Sequence, residues 1–61
     1  MNIQQIERAY DAGYKVHYGS RNYEVQRHYG QLEIVCLDNG FMVGIANGKP
    51  ELFYVGEKDN D

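Results

Sequence analysis

Tryptophan is absent from this chain, and cysteine and proline each occur once. A lone Cys36 excludes an internal disulfide, and a single free thiol fits a reducing compartment. No Cys/His cluster has the spacing of a structural zinc site. No apolar run approaches the roughly 20 residues that span a bilayer. The opening MNIQQIERAY carries Glu7 and Arg8 and lacks the apolar stretch of a signal sequence. The expected location is therefore the cytoplasm, without a membrane partner. A basic excess is also missing. Net charge is −3, with residues 1–30 at +1 and residues 31–61 at −4. That distribution disfavours binding driven by the nucleic-acid backbone.

What is present is a single domain of 61 residues with six tyrosines and seven glycines. A domain this small buries only about 60% of the surface its unfolded chain exposes, so its core is marginal. Without disulfide or metal, oligomerisation is the expected supplement. Residues 1–56 form the expected domain, and 57–61 an acidic, frayed tail.

NIQQIERAYDAG has the spacing of an amphipathic helix, with Ile3, Ile6, Ala9 and Tyr10 on one face. Asn2 is placed as N-cap, Gln5 completes a capping box, and Gly13 ends the helix. Five strands follow: YKVHY, YEVQRHY, LEIVCLD, FMVGIA and KPELFYV. Their breaks are GSRN, Gly30-Gln31, Asn39-Gly40 and Asn47-Gly48, the last two being strong hairpin signals. Pro50 makes the last strand an edge. The expected fold is α+β: a short N-terminal helix packed on a five-stranded antiparallel meander.

Two-residue loops pair the residues that flank them, and paired residues share a face. This register gathers Tyr14, Val16, Tyr18, Tyr23, Val25, Leu32, Ile34, Cys36, Phe41, Val43, Ile45, Leu52 and Tyr54 beneath the helix. The other face is split. Lys15, His17, Glu24, Gln26 and His28 make one half ordinary solvated surface. Val35, Leu37, Met42, Ala46, Phe53 and Val55 make the other half apolar, with Gly44 among them. A two-layer monomer has nothing to cover that half. Three explanations fit: a homo-oligomer interface, a surface for another protein, or the interior of a sheet curled into an SH3- or Sm-like barrel.

Chemical constellations are weaker than this pattern. The expected cross-strand pairs His17/Glu24 and His28/Glu33 could be metal ligands or acid–base groups. An open sheet face excludes no water, so exposed ion pairs worth a few tenths of a kcal/mol are the simpler account. Cys36 faces the core as a small hydrophobe rather than a nucleophile. The glycines form neither GxGxxG nor a Walker loop. Tyr14, Tyr18, Tyr23 and Tyr29, with Arg21 and Arg27, could stack bases, but most lie on the helix side. Arg27 is expected over the Tyr14 ring.

Helix followed by five bent antiparallel strands is similar in topology to Sm-like proteins, although the Asp and Asn signatures of the Sm motifs are absent. AGYKVHYGSRNYEV and GQLEIVCLDNGFMVGI resemble short uncharacterised proteins of bacteriophages and prophages. They share a brief helix, a Gly-Tyr start to the first strand and the YEV…IVC…GI spacing. That resemblance implies a small accessory protein that binds a host factor, and transfers no catalytic residue. The functional expectation is a non-enzymatic protein-binding module without cofactor. Its partner is a second copy or a host protein, and its contact residues are Val35, Leu37, Met42, Phe53 and Val55. The alternative is a small Sm/SH3-like barrel binding nucleic acid.

Overall fold

The computed structural model describes residues 1–58. The helix α1 spans Ile3–Asp11, followed by β1 (Tyr14–Tyr18), β2 (Ser20–His28), β3 (Gln31–Cys36), β4 (Met42–Gly44) and β5 (Phe53–Lys58). Two single 3₁₀ turns, Ile45–Asn47 and Pro50–Leu52, link β4 to β5. Glu57 and Lys58, expected in a frayed tail, are the last residues of β5. The rest of that tail, 59–61, lies outside the described residues.

α1 starts where the sequence places it. Asn2 Oδ1 accepts from the Gln5 amide at 2.8 Å, and Gln5 Oε1 accepts from the Asn2 amide at 2.9 Å. This capping box satisfies two amides that the first turn leaves without partners. Gly13, at φ 92°, follows the last turn in the left-handed conformation that glycine adopts at little cost. A nine-residue helix is marginal alone. Ile6, only 1% exposed, anchors it to the sheet. Tyr10 adds a second tie: its hydroxyl accepts from the Arg27 amide at 3.3 Å. The Arg27 guanidinium lies over the Tyr10 ring and reaches Asp11 at 3.2 Å. The expected Arg27–Tyr14 contact is not made; Lys58 covers the Tyr14 ring instead.

The sheet has five antiparallel strands in the order β4-β3-β2-β1-β5. The first four strands form the expected meander. β5 does not pair with β4; it crosses to the free side of β1. The sheet therefore stays open, with β4 and β5 as its edges, and does not close into a barrel. Pro50 sits in the crossing, in the 3₁₀ turn before β5 rather than within the strand as expected, and β5 is an edge strand.

Two hairpins slip by two residues from the expected register, and both keep their faces. Tyr29 and Gly30 make the β2–β3 turn, at φ 54° and 79°, so Val25 opposes Ile34 rather than Cys36. At the β3–β4 end, Gly40 donates to the Cys36 carbonyl and Cys36 to the Phe41 carbonyl. The loop is therefore four residues long, and Val35 opposes Met42. The GSRN turn also tightens, to Gly19 alone, but His17 still opposes Glu24. A shift of two preserves side-chain direction, whereas a shift of one inverts it.

The last connection does invert its strand. Gly48 has φ −88° and makes no primed turn. It is a packing glycine: a Cβ there would lie 2.8 Å from Tyr18, 2.9 Å from Phe53 and 3.0 Å from Ile34. The chain turns inward after Gly44, which buries Ile45. It is then held by the Tyr18 hydroxyl, which accepts from the Lys49 amide at 2.9 Å. β5 consequently enters one residue out of the expected phase. Phe53 joins Ile6, Val16, Val25, Leu32, Ile34 and Ile45 in the core, while Tyr14, Tyr23, Phe41, Leu52 and Tyr54, expected there, are exposed. The placement of Phe53 and Val55 on the far face is thus corrected, Val55 lying opposite Val16.

Tyr29 is fully exposed at 103% and holds a positive φ. A left-handed residue with a bulky side chain costs about 1–2 kcal/mol, and asparagine tolerates that conformation better. Nothing in the packing of Tyr29 offsets the cost. Tyr29→Asn is expected to raise unfolding stability by about 1 kcal/mol, read as a higher urea midpoint at unchanged slope.

Candidate functional site

The far face of the sheet, opposite α1, carries the groups left after the core is filled. Strand register sets one row across all five strands: Met42, Val35, Glu24, His17 and Tyr54. Its β4–β3 half is apolar and its β2–β1–β5 half is polar and aromatic.

His17 is the one buried polar residue among the described residues, at 8% exposure. Its Nδ1 lies 3.1 Å from the Tyr23 carbonyl oxygen. A carbonyl only accepts, so Nδ1–H donates, and in the neutral ring Nε2 is the acceptor. The imidazole stacks at a 33° tilt on Tyr54, with centroids 5.4 Å apart. On its other flank is Gly56, where a Cβ would stand 2.8 Å from both Cδ2 and Nε2. The glycine therefore makes room for the ring. Among the described residues Nε2 has no hydrogen-bond partner, yet no buried side-chain polar atom is left unsatisfied. Nε2 accordingly keeps contact with solvent.

A second polar line runs along β2. The Gln26 amide nitrogen donates to the Glu24 carboxylate at 3.2 Å. Its oxygen must then face His28, whose Nε2–H donates to it at 3.1 Å. His28 opposes Gln31, and Glu33 opposes Gln26, so the expected His28/Glu33 pair does not form. His17/Glu24 does form as a cross-strand pair. Among the described residues no three His, Cys, Asp or Glu side chains converge as metal ligands.

Next to His17 lies a cleft of about 390 Å³, floored by His17, Tyr54 and Gly56 and rimmed by Lys15, Arg21, Glu24 and Glu57. Leu37 supplies an apolar wall, and Val55 lines the cleft at the β5 edge. Among the described residues, neither Lys15 nor Arg21 forms an ion pair; Arg27–Asp11 is the pair found there. The cleft thus offers an acceptor, charged groups of both signs and apolar lining in an open setting.

The five expected contact residues separate. Leu37, 51% exposed, and Met42 stand free at the β3–β4 end, with exposed Phe41 beside them in the chain. Val35 lies in the same row as Met42 but is buried. Val55 is half-exposed at the outer edge, opposite Val16. Phe53 is in the core. Sequence reasoning missed Tyr54 and Gly56, because both depend on the phase in which β5 meets β1. Gly56 lay just past the end of the expected last strand, so no local signal pointed at it.

No family model matches the chain, and no curated protein or solved structure is significantly similar to it. No helix of the described residues is long and apolar enough to cross a membrane.

Proposed function

We propose that this protein is a non-enzymatic binding module that engages another protein through the apolar end of its far face. The supporting observation is the exposure of Leu37 and Met42 at the β3–β4 end of that face, with exposed Phe41 next to Met42 in the chain. Single exposed apolar side chains are ordinary, but a group of them on one end of a small domain is typical of a contact surface. Large flexible and aromatic side chains of this kind, Met and Phe, are enriched at protein interfaces. The likeness to small bacteriophage and prophage proteins fits an accessory role of this kind, with a host protein as the partner. The acidic second half of the chain favours a basic partner surface.

The test compares the tagged parent with a Leu37→Glu/Met42→Glu double variant as baits in extracts of the native host. Both positions are solvated, so unfolding stability should change by less than about 0.5 kcal/mol per site. Capture of a specific protein by the parent and its loss from the folded variant is the expected result. Equal capture by both baits, or none by either, overturns the proposal.

A further inference from the structure

Extending that reading, we propose that the outer edge of β5 docks a second copy of this chain, strand against strand, about a two-fold axis through Val55. The two open edges differ in length: β4 has three residues and β5 has six. Gly19 donates to the Leu52 carbonyl at 2.9 Å. This bond sets the phase of the β1–β5 ladder, so His17 and Tyr54 form the hydrogen-bonded pair. Phe53 and Val55 then turn their backbone groups away from β1. The Phe53 amide is taken by the Pro50 carbonyl. The Val55 amide and carbonyl are left facing outward, next to a side chain that is itself half-exposed.

The sequence of β5 matches itself in one antiparallel alignment. With Val55 on the axis, each Val55 amide donates to the other copy's Val55 carbonyl, and the two valine side chains meet. Tyr54 then lies across from the partner's Gly56, where an aromatic ring covers a residue without a side chain. Glu57 and Lys58 of each copy lie toward the partner's Phe53 end of the strand, so no like charges oppose. An axis through Gly56 would set Val55 against Glu57 and leave glycine opposite glycine. An axis through Glu57 would oppose two carboxylates. The irregularity between Tyr14/Val16 and Lys58/Val55 ends the regular phase just past Val55. Val55 is therefore the last residue whose outward direction the ladder fixes. A marginal 61-residue core gives the chain a reason to pair. Pairing here also places the two far-face clefts side by side, with each Tyr54 at the join.

Sedimentation equilibrium from about 10 μM to about 1 mM tests this, using the parent, Val55→Pro and Val55→Lys. Proline removes an amide that the β1 ladder does not use, and lysine sets two ammonium groups against each other on the axis. The expected result is a dimeric parent, with dissociation constants raised at least about tenfold in both variants and unchanged far-UV circular dichroism. Should Val55→Pro unfold, Val55→Lys decides, because its side chain is solvated. A parent that stays monomeric, or a dimer that ignores both substitutions, overturns the inference. Leu37→Glu/Met42→Glu is expected to leave the dimer intact. A monomeric protein that still captures its host partner would refute this pairing and spare the binding-module reading. A Val55-dependent dimer without capture would do the reverse.

Discussion

Phe53→Ala is expected to destabilise the fold by about 3–5 kcal/mol, the range for removing a buried aromatic ring. A 61-residue domain holds only about 3–9 kcal/mol in total, so the substitution removes at least about a third of its stability. The ring is 5% exposed, lies 4.7 Å from the Tyr18 ring, and abuts the space that Gly48 leaves open. Truncation would leave a cavity bounded by backbone on one side and by Tyr18 and Ile34 on the other. Tyr18 is held by the Lys49 amide on its hydroxyl, so collapse into the cavity would break a hydrogen bond. Urea unfolding followed by circular dichroism measures the loss. Leu52→Ala and Tyr54→Ala are the controls. These neighbours are partly exposed, and each should cost far less. A Phe53 loss no greater than theirs would mean that β5 pairs in the opposite phase.

The second large effect is expected at the helix. Ile6→Ala should cost about 2–5 kcal/mol. Ile6 is the only α1 residue that is fully buried. Met1, Ala9 and Tyr10 pack against the same cluster from its margin. A capping box contributes about 1 kcal/mol and cannot hold nine residues in a helix alone. Without the Ile6 side chain the helix loses its anchor, and the sheet loses the layer that keeps Val16 and Val25 dry. At about 4–8 °C per kcal/mol for a domain of this size, the thermal midpoint should fall by at least about 10 °C. Ile3→Ala, at a half-exposed position of the same helix, should move it by a small fraction of that.

The elements that were legible are those whose signals are local. Asn2, Gln5 and Gly13 define the helix from within a few residues of it. Alternation in the first strands assigned Val16, Val25, Leu32 and Ile34 to the core, and two slips of register left that assignment standing because each was by an even number. Asn47-Gly48 failed for a reason no local rule contains. Gly48 is needed where Tyr18, Ile34 and Phe53 converge, and those residues meet only after folding. Once that turn was lost, the phase of β5 was lost with it, and so were Phe53, Leu52 and Tyr54. The candidate site divides in the same way. Leu37 and Met42 were found on the exposed face because they lie on a hairpin whose parity held. Tyr54 and Gly56 flank His17 through a pairing between chain segments far apart in sequence.

That distant pairing also orders events in time. The contacts of β1 through β4 close over short loops and can form as each strand becomes available. β1 obtains its second neighbour only when β5 arrives, and closing so long a loop is the slow, entropically costly step. Until then β1 is itself an unguarded edge, displaying Tyr18 without the Phe53 ring that packs against it. A molecule caught at that stage would have a bare strand where the finished one has a shielded core, and aggregation would be most rapid then. The final strand is in that sense a latch: it supplies the second neighbour of β1 and sets the Phe53 ring against Tyr18.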